Sequence, residues 1–143
     1  MTAIIVDDEK HCREVMEHLL HKHCGDVKIL ANCSGGMEAL TALEKGSPDI
    51  LFLDIEMPGM NGFELLERFH NPGFEIVFTT AYNEYAIKAI KHSALDYLLK
   101  PVDKDELIQT VQRAKEHKTK KTSQRVDSLL EMLSQKKNSK RFA

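Results

Sequence analysis

Long apolar runs are missing from this chain of 143 residues. A membrane-crossing helix takes roughly 20 consecutive apolar residues, whereas runs such as Ile50-Leu51-Phe52-Leu53 are only strand-sized. The opening Met-Thr-Ala-Ile-Ile-Val-Asp-Asp lacks the basic n-region and cleavage site of a signal peptide, so a cytoplasmic location is expected. Cysteine is scarce. Cys12, Cys24 and Cys33 form no CxxC pair, and an odd count argues against a disulfide framework. Reduced, mostly buried thiols are the expectation. A large net charge is lacking too, at −2, but that small value conceals an asymmetry. Residues 1–114 hold 11 Lys/Arg against 19 Asp/Glu, or −8, and residues 115–143 hold 9 against 3, or +6. An acidic body with a basic tail suggests two regions with different tasks. The length suits one compact domain plus a short extension.

What the chain does have is a regular alternation of apolar β-rich runs with helical spacing. Ala3 to Val6 reads as a buried strand stopping at Asp7-Asp8. Cys12, Val15, Met16, Leu19 and Leu20 then form a helical stripe, with Glu14, Glu17, His18 and His21 on the wet side and Gly25 as the stop. Val27 to Ala31 is a second strand. Ser34 is the expected N-cap of a helix packed through Met37, Leu40 and Leu43. Ile50 to Leu53 is the third strand, ending at Asp54. A loop through Pro58 to Gly62 precedes a helix with Phe63, Leu66 and Phe69 inward, broken at Asn71-Pro72-Gly73. Glu75 to Phe78, a helix from Glu84 to Lys91, and Tyr97 to Leu99 follow. Asp103, with Glu106 three residues on, opens a fifth helix packed through Leu107, Ile108 and Val111.

Five β–α units with short connections imply a parallel sheet covered by helices on both faces. A doubly wound, flavodoxin-like five-stranded α/β fold with strand order 2-1-3-4-5 is the natural candidate. Ligands of such sheets bind at the carboxyl ends of the strands. That rule gathers Asp7, Asp8, Asp54, Thr79, Thr80 and Lys100 at one edge.

Three carboxylates together raise one another's pKa unless a cation sits among them. Oxygen ligands suit Mg²⁺, with Asp8 and Asp54 as direct ligands, Asp7 acting through water, and the Glu56 backbone carbonyl as a further oxygen. A carboxylate beside that metal can attack phosphorus and become an acyl phosphate. Lys100 supplies a positive charge, Thr80 a hydroxyl donor, and Ala81 leaves an approach path. No residue looks like a dedicated water-activating base, which suits a slow switch better than a metabolic enzyme.

Asp7-Asp8, Asp54-Ile-Glu-Met-Pro-Gly, Thr80-Ala81 and Lys100-Pro101 together resemble the bacterial response-regulator receiver domains, over about residues 2–117. The resemblance implies that Asp54 is the phosphoacceptor for a sensor histidine kinase. It further implies Mg²⁺ at Asp7, Asp8, Asp54 and the Glu56 carbonyl, phosphoryl contacts from Thr80, Ala81 and Lys100, and a cis Lys100-Pro101 peptide. Thr80 and Tyr97 would be the switch pair, remodelling the surface of the fourth helix, fifth strand and fifth helix and allowing a homodimer there. The side chains of Glu56 and Tyr82 would flank the phosphoryl group and tune its lifetime.

A narrower similarity, in Thr80-Ala-Tyr-Asn-Glu-Tyr-Ala-Ile-Lys-Ala-Ile and Asp96-Tyr-Leu-Leu-Lys-Pro, is to receivers of LytTR-type transcription regulators. DNA would then be bound only by a C-terminal domain not included here. On this view residues 1–117 are the receiver, and residues 118–143 are a basic linker with an amphipathic helix at Val126, Leu129, Leu130 and Leu133.

Plainer alternatives stand beside these. Strand-end aspartates commonly cap helices or face water, and Tyr97 is alternatively a core aromatic. His18, His21 and His23 near Cys24 are either a solvated face or a transition-metal site. The tail is either a docking helix or a solvated linker. A Mg²⁺-dependent phosphohydrolase is the rival from another class, but it would usually carry a second Asp where Glu56 stands, and a cap over its substrate.

Overall fold

The computed structural model describes residues 1–69 and 72–141, so Asn71 of the expected helix break lies outside the described residues. Five strands are formed: β1 (Thr2–Val6), β2 (Lys28–Cys33), β3 (Ile50–Asp54), β4 (Glu75–Thr80) and β5 (Asp96–Leu99). They make one parallel sheet in the order β2-β1-β3-β4-β5. Between them run α1 (Lys10–His23), α2 (Gly36–Lys45), α3 (Gly62–Leu66) and α4 (Ala86–Lys91), with α5 (Lys104–Arg141) closing the chain. This is the flavodoxin-like arrangement expected from the sequence.

Strand side chains alternate between faces, and here both faces are covered. Ile4, Val6, Leu51, Leu53, Ile76 and Phe78 pack with Ala39, Leu43, Phe63, Leu65, Leu66 and Ala89 of α2, α3 and α4. Ala3, Ile5, Ile50, Phe52, Val77 and Leu98 pack with Met16 and Leu20 of α1 and Leu107, Val111 and Ala114 of α5. A strand buried on both sides has no polar alternation to display, which is why these segments read as unbroken apolar runs.

Several local expectations need correction. Ser34 does not cap α2. Its hydroxyl and its N–H both donate to Glu38 Oε2, at 2.7 and 2.9 Å, and Gly35 occupies the N-cap position. Met37 is 69% exposed, and Ala39 takes the inward place assigned to it. Ile108 is likewise exposed, leaving Leu107, Val111 and Ala114 as the packed side of α5. The chain before α4 forms a 3-10 turn at Asn83–Tyr85 rather than α-helix from Glu84. Strand β2 runs on to Cys33, whose carbonyl accepts from the Asp7 N–H. Asp103 caps α5 as its spacing suggests, Oδ2 accepting from the Glu106 N–H at 3.0 Å.

Helix α5 continues unbroken past residue 117, and its 38 residues at 1.5 Å rise reach about 57 Å. Because α5 runs antiparallel to the strands, its middle turns reach the amino-terminal edge of the sheet. There Lys118 meets Asp49 at 3.1 Å, Lys121 and His117 meet Glu75 at 3.1 and 3.4 Å, and Lys115 pairs with Asp26. Beyond these pairs Val126, Leu129, Leu130, Met132 and Leu133 are exposed. No helix among the described residues is long and apolar enough to cross a membrane.

Candidate functional site

The carboxyl edge of the sheet holds the site because three strands end there on polar residues. Asp7 follows β1, Asp54 ends β3, and Thr79 and Thr80 end β4, with Asp54 in register with Thr79. Asp7, Asp54, Thr79 and Thr80 are all buried, whereas Asp8 is exposed. One carboxylate oxygen from each of Asp7, Asp8 and Asp54 lies within 4.8 Å of the others. Among the described residues this is the one acid, histidine and cysteine group gathered closely enough to hold a metal; His18, His21 and His23 form no such group.

Lys100 enters from the end of β5. Its Nζ lies 2.8 Å from Asp7 Oδ2 and 3.5 Å from Asp54 Oδ2. Burial works against the ammonium charge, but Asp7 and Asp54 together hold the Lys100 pKa above its usual value. The following peptide, to Pro101, is cis.

Asp54 itself is pushed up from 3.8 to about 8, first by burial, then by Asp7 and Asp8, with Lys100 opposing. One ammonium therefore does not balance this set of carboxylates. The donor set fits a hard divalent cation: oxygen ligands only, excess negative charge, and one exposed member giving access to water.

The loop after Asp54 is held by contacts that residue types alone do not reveal. Gly62 donates its N–H to the Ile55 carbonyl at 2.9 Å. A Cβ at Gly62 would stand 2.6 Å from the Asp54 carbonyl oxygen, so only glycine permits this approach. Gly59 has φ +79°, the second place where glycine is needed. Asn61 and Glu64 form a capping box that starts α3. On the other side, Arg13 donates to the Asp7 carbonyl at 2.7 Å, and Asp7 Oδ1 accepts from the Glu9 N–H at 2.9 Å. Sequence reasoning missed Arg13 and Gly62. An arginine on the wet face of a helix carries no signal, whereas a glycine opening a helix four residues after Pro58 did carry one.

Around the rim, Thr80 Oγ1 accepts from the Tyr82 N–H at 3.2 Å, and Ala81 is exposed beside it. Tyr97 is half-buried against the core, its hydroxyl donating to the Tyr82 carbonyl. The Glu56 side chain is exposed and accepts from the Tyr85 hydroxyl at 2.5 Å. Asp7, Asp8, Asp54 and Lys100 are thus gathered directly and Thr80 ends β4 at the same edge, whereas the Glu56 side chain is tied to Tyr85 and the Tyr97 hydroxyl to Tyr82.

Comparison with known proteins matches both the sequence and the fold. Residues 3–112 match the sequence profile of the response regulator receiver domain. An uncharacterized response regulatory protein of Yersinia pestis is 45% identical over 114 residues, covering 79% of this chain and 48% of the relative. The transcriptional regulatory protein BtsR of Escherichia coli K12 is 43% identical over 121 residues, covering 82% and 49%. The chain spans about half the length of the curated relatives it matches. Among solved structures, the response regulatory domain of mrkE from Klebsiella pneumoniae superimposes with a TM-score of 0.73 at 31% identity, covering 82% of this chain and 97% of that one. TrrA from Thermotoga maritima, solved in complex with Mg²⁺–BeF, gives 0.70 at 30% identity, covering 79% and 97%.

Proposed function

The chain belongs to the response regulator receiver family, and from that premise we propose that Asp54 accepts a phosphoryl group from a sensor histidine kinase in a Mg²⁺-dependent reaction. The observation that carries the reading is the placement of Lys100 Nζ between Asp7 and Asp54, inside a carboxylate trio that one ammonium leaves under-neutralised. The presence of Mg²⁺–BeF in the Thermotoga relative supports the same chemistry.

Asp7, Asp8, Asp54 and the Glu56 carbonyl would hold Mg²⁺, which when bound keeps Asp54 ionised and neutralises charge on the transferring group. An Asp54 carboxylate oxygen forms the new bond to phosphorus as the bond to the donor nitrogen breaks and the imidazole leaves. Lys100 offsets the charge on the phosphoryl oxygens, and Thr80 donates its hydroxyl to one of them. Ala81 leaves the approach open, and the side chains of Glu56 and Tyr82 border it.

Thr80 then leaves its contact with the Tyr82 N–H, and Tyr97 responds because its hydroxyl holds the same residue's carbonyl. The output is a population shift in the α4–β5–α5 surface, where Ile87, Ile90 and Leu99 stand exposed. That surface would form a homodimer, controlling a C-terminal DNA-binding domain of LytTR type through a linker comprising residues 118–143. The receiver acts in the cytoplasm and turns over its phosphoryl group slowly, as a signalling domain rather than a metabolic enzyme.

Beryllofluoride with Mg²⁺ tests the switch. Amide resonances at Thr80, Tyr97 and along α4 are expected to move, and the sedimenting mass to double. Unmoved resonances would defeat the switch, and a persistent monomer would remove the dimer.

A further inference from the structure

The receiver reading leaves Tyr85 without a task, yet Tyr85 makes one of the shortest contacts at the rim. Its hydroxyl lies 2.5 Å from Glu56 Oε1, the length of a charge-assisted O–H···O⁻ bond. Glu56 stands two residues after Asp54, in the loop that follows β3, and its side chain is exposed. The Tyr85 ring is fixed where it stands. Phe63 packs against it at a centroid distance of 6.1 Å, and Tyr82 meets it edge-on at 6.3 Å. Tyr85 also ends the 3-10 turn that leads into α4, so the bond ties that helix to the loop after Asp54.

We propose that Tyr85 is a positioning residue that lengthens the life of the acyl phosphate by holding the Glu56 carboxylate toward α4 and away from attacking water. The inference rests on Asp54 being the phosphoacceptor. Hydrolysis forms a bond from a water oxygen to phosphorus and breaks the bond from phosphorus to the Asp54 oxygen. Asp54 returns as a carboxylate, and the water proton leaves through inorganic phosphate to solvent. A carboxylate over the phosphoryl group accepts a hydrogen bond from that water and aligns it. Glu56 is the acidic side chain on this loop able to do so, and with Tyr85 bound its Oε1 is committed elsewhere.

The test compares the wild type, Tyr85→Phe, Glu56→Ala and the double variant. Each is loaded with acetyl phosphate and Mg²⁺, freed of donor, and followed by intact mass. Phe keeps the ring contacts, and an unchanged melting temperature shows that the fold is kept. Tyr85→Phe is expected to lose its label roughly fivefold faster than wild type, a typical size for coupling between touching side chains. The double variant should match Glu56→Ala within about twofold, because without Glu56 the phenol has nothing to restrain. Equal or slower decay in Tyr85→Phe overturns the proposal, as does an acceleration that persists when Glu56 is absent. A wild type that takes no label overturns the phosphoacceptor reading and this proposal together, an outcome distinct from the other two.

Discussion

Replacing Asp54 by Asn should stabilise the metal-free protein. In the fold, burial and then the neighbouring Asp7 push the Asp54 carboxyl up to about 8 from an ordinary 3.8, with Lys100 only partly offsetting. A group held above its ordinary value favours folding fully below that value, and this contribution is lost as pH rises through the folded value. The cost of carrying Asp54 should therefore be near zero at pH 4, grow through neutrality and level off above pH 8. At pH 7 the interval from 3.8 to 8 corresponds to about 4 kcal/mol. Movement of the Lys100 ammonium toward the ionised carboxylate lowers this, and about 2 kcal/mol is expected to remain. For a chain of this size that is roughly 5 °C in melting temperature. The assay is thermal or urea unfolding of both proteins from pH 4 to pH 9, where the difference between them cancels the other titrating groups. Adding Mg²⁺ should raise the wild type and close the gap, since a ligand stabilises by mass action only the state that binds it. A difference independent of pH, or equal stabilisation of both proteins by Mg²⁺, would refute the electrostatic reasoning.

Lys100→Ala removes the cation facing Asp7 and Asp54. It should destabilise the metal-free protein by about 3 kcal/mol in urea unfolding at pH 7, because buried carboxylates are left without a partner. Gly62→Ala places a Cβ 2.6 Å from the Asp54 carbonyl oxygen; a loss of about 2 kcal/mol and weaker Mg²⁺ binding are expected by calorimetry. Asp49 lies below its usual pKa: burial opposes this, but the Thr2 N–H and Lys118 hold it ionised. Its contribution is present above the ordinary carboxylate range and fades as pH falls. Asp49→Asn should accordingly speed amide exchange across residues 115–125 about threefold at pH 7, with little change at pH 3.

The core fold was readable because both faces of the sheet are covered. Strands such as Ile50–Asp54 then show as short apolar runs, and each strand of the site ends at a polar residue that sits awkwardly in a buried run. Asp7, Asp54 and Thr80 announce themselves in that way, and Lys100 follows a strand for the same reason. The details that were not readable depend on which of two local partners wins. Ser34 has the chemistry of an N-cap, yet Glu38 takes its hydroxyl first. Met37 and Ala39 both lie near the expected stripe, and only helix rotation decides that Ala39 faces inward. Tyr85 stands in the run used to recognise the narrower similarity, but its bond to Glu56 spans 29 residues and needs the third dimension. The continuity of α5 through residue 117 had a signal that went unused: no Gly or Pro occurs after Pro101.

The central claim is that Asp54 carries the phosphoryl group, and borohydride trapping tests it most directly. The protein is incubated with acetyl phosphate and Mg²⁺, and hydride reduces any aspartyl phosphate to homoserine, which peptide mass spectrometry then locates. Homoserine at position 54, absent from Asp54→Asn and from samples without Mg²⁺, is the expected result. Homoserine at position 7 or 8, or none in a wild type shown to be folded, would contradict it.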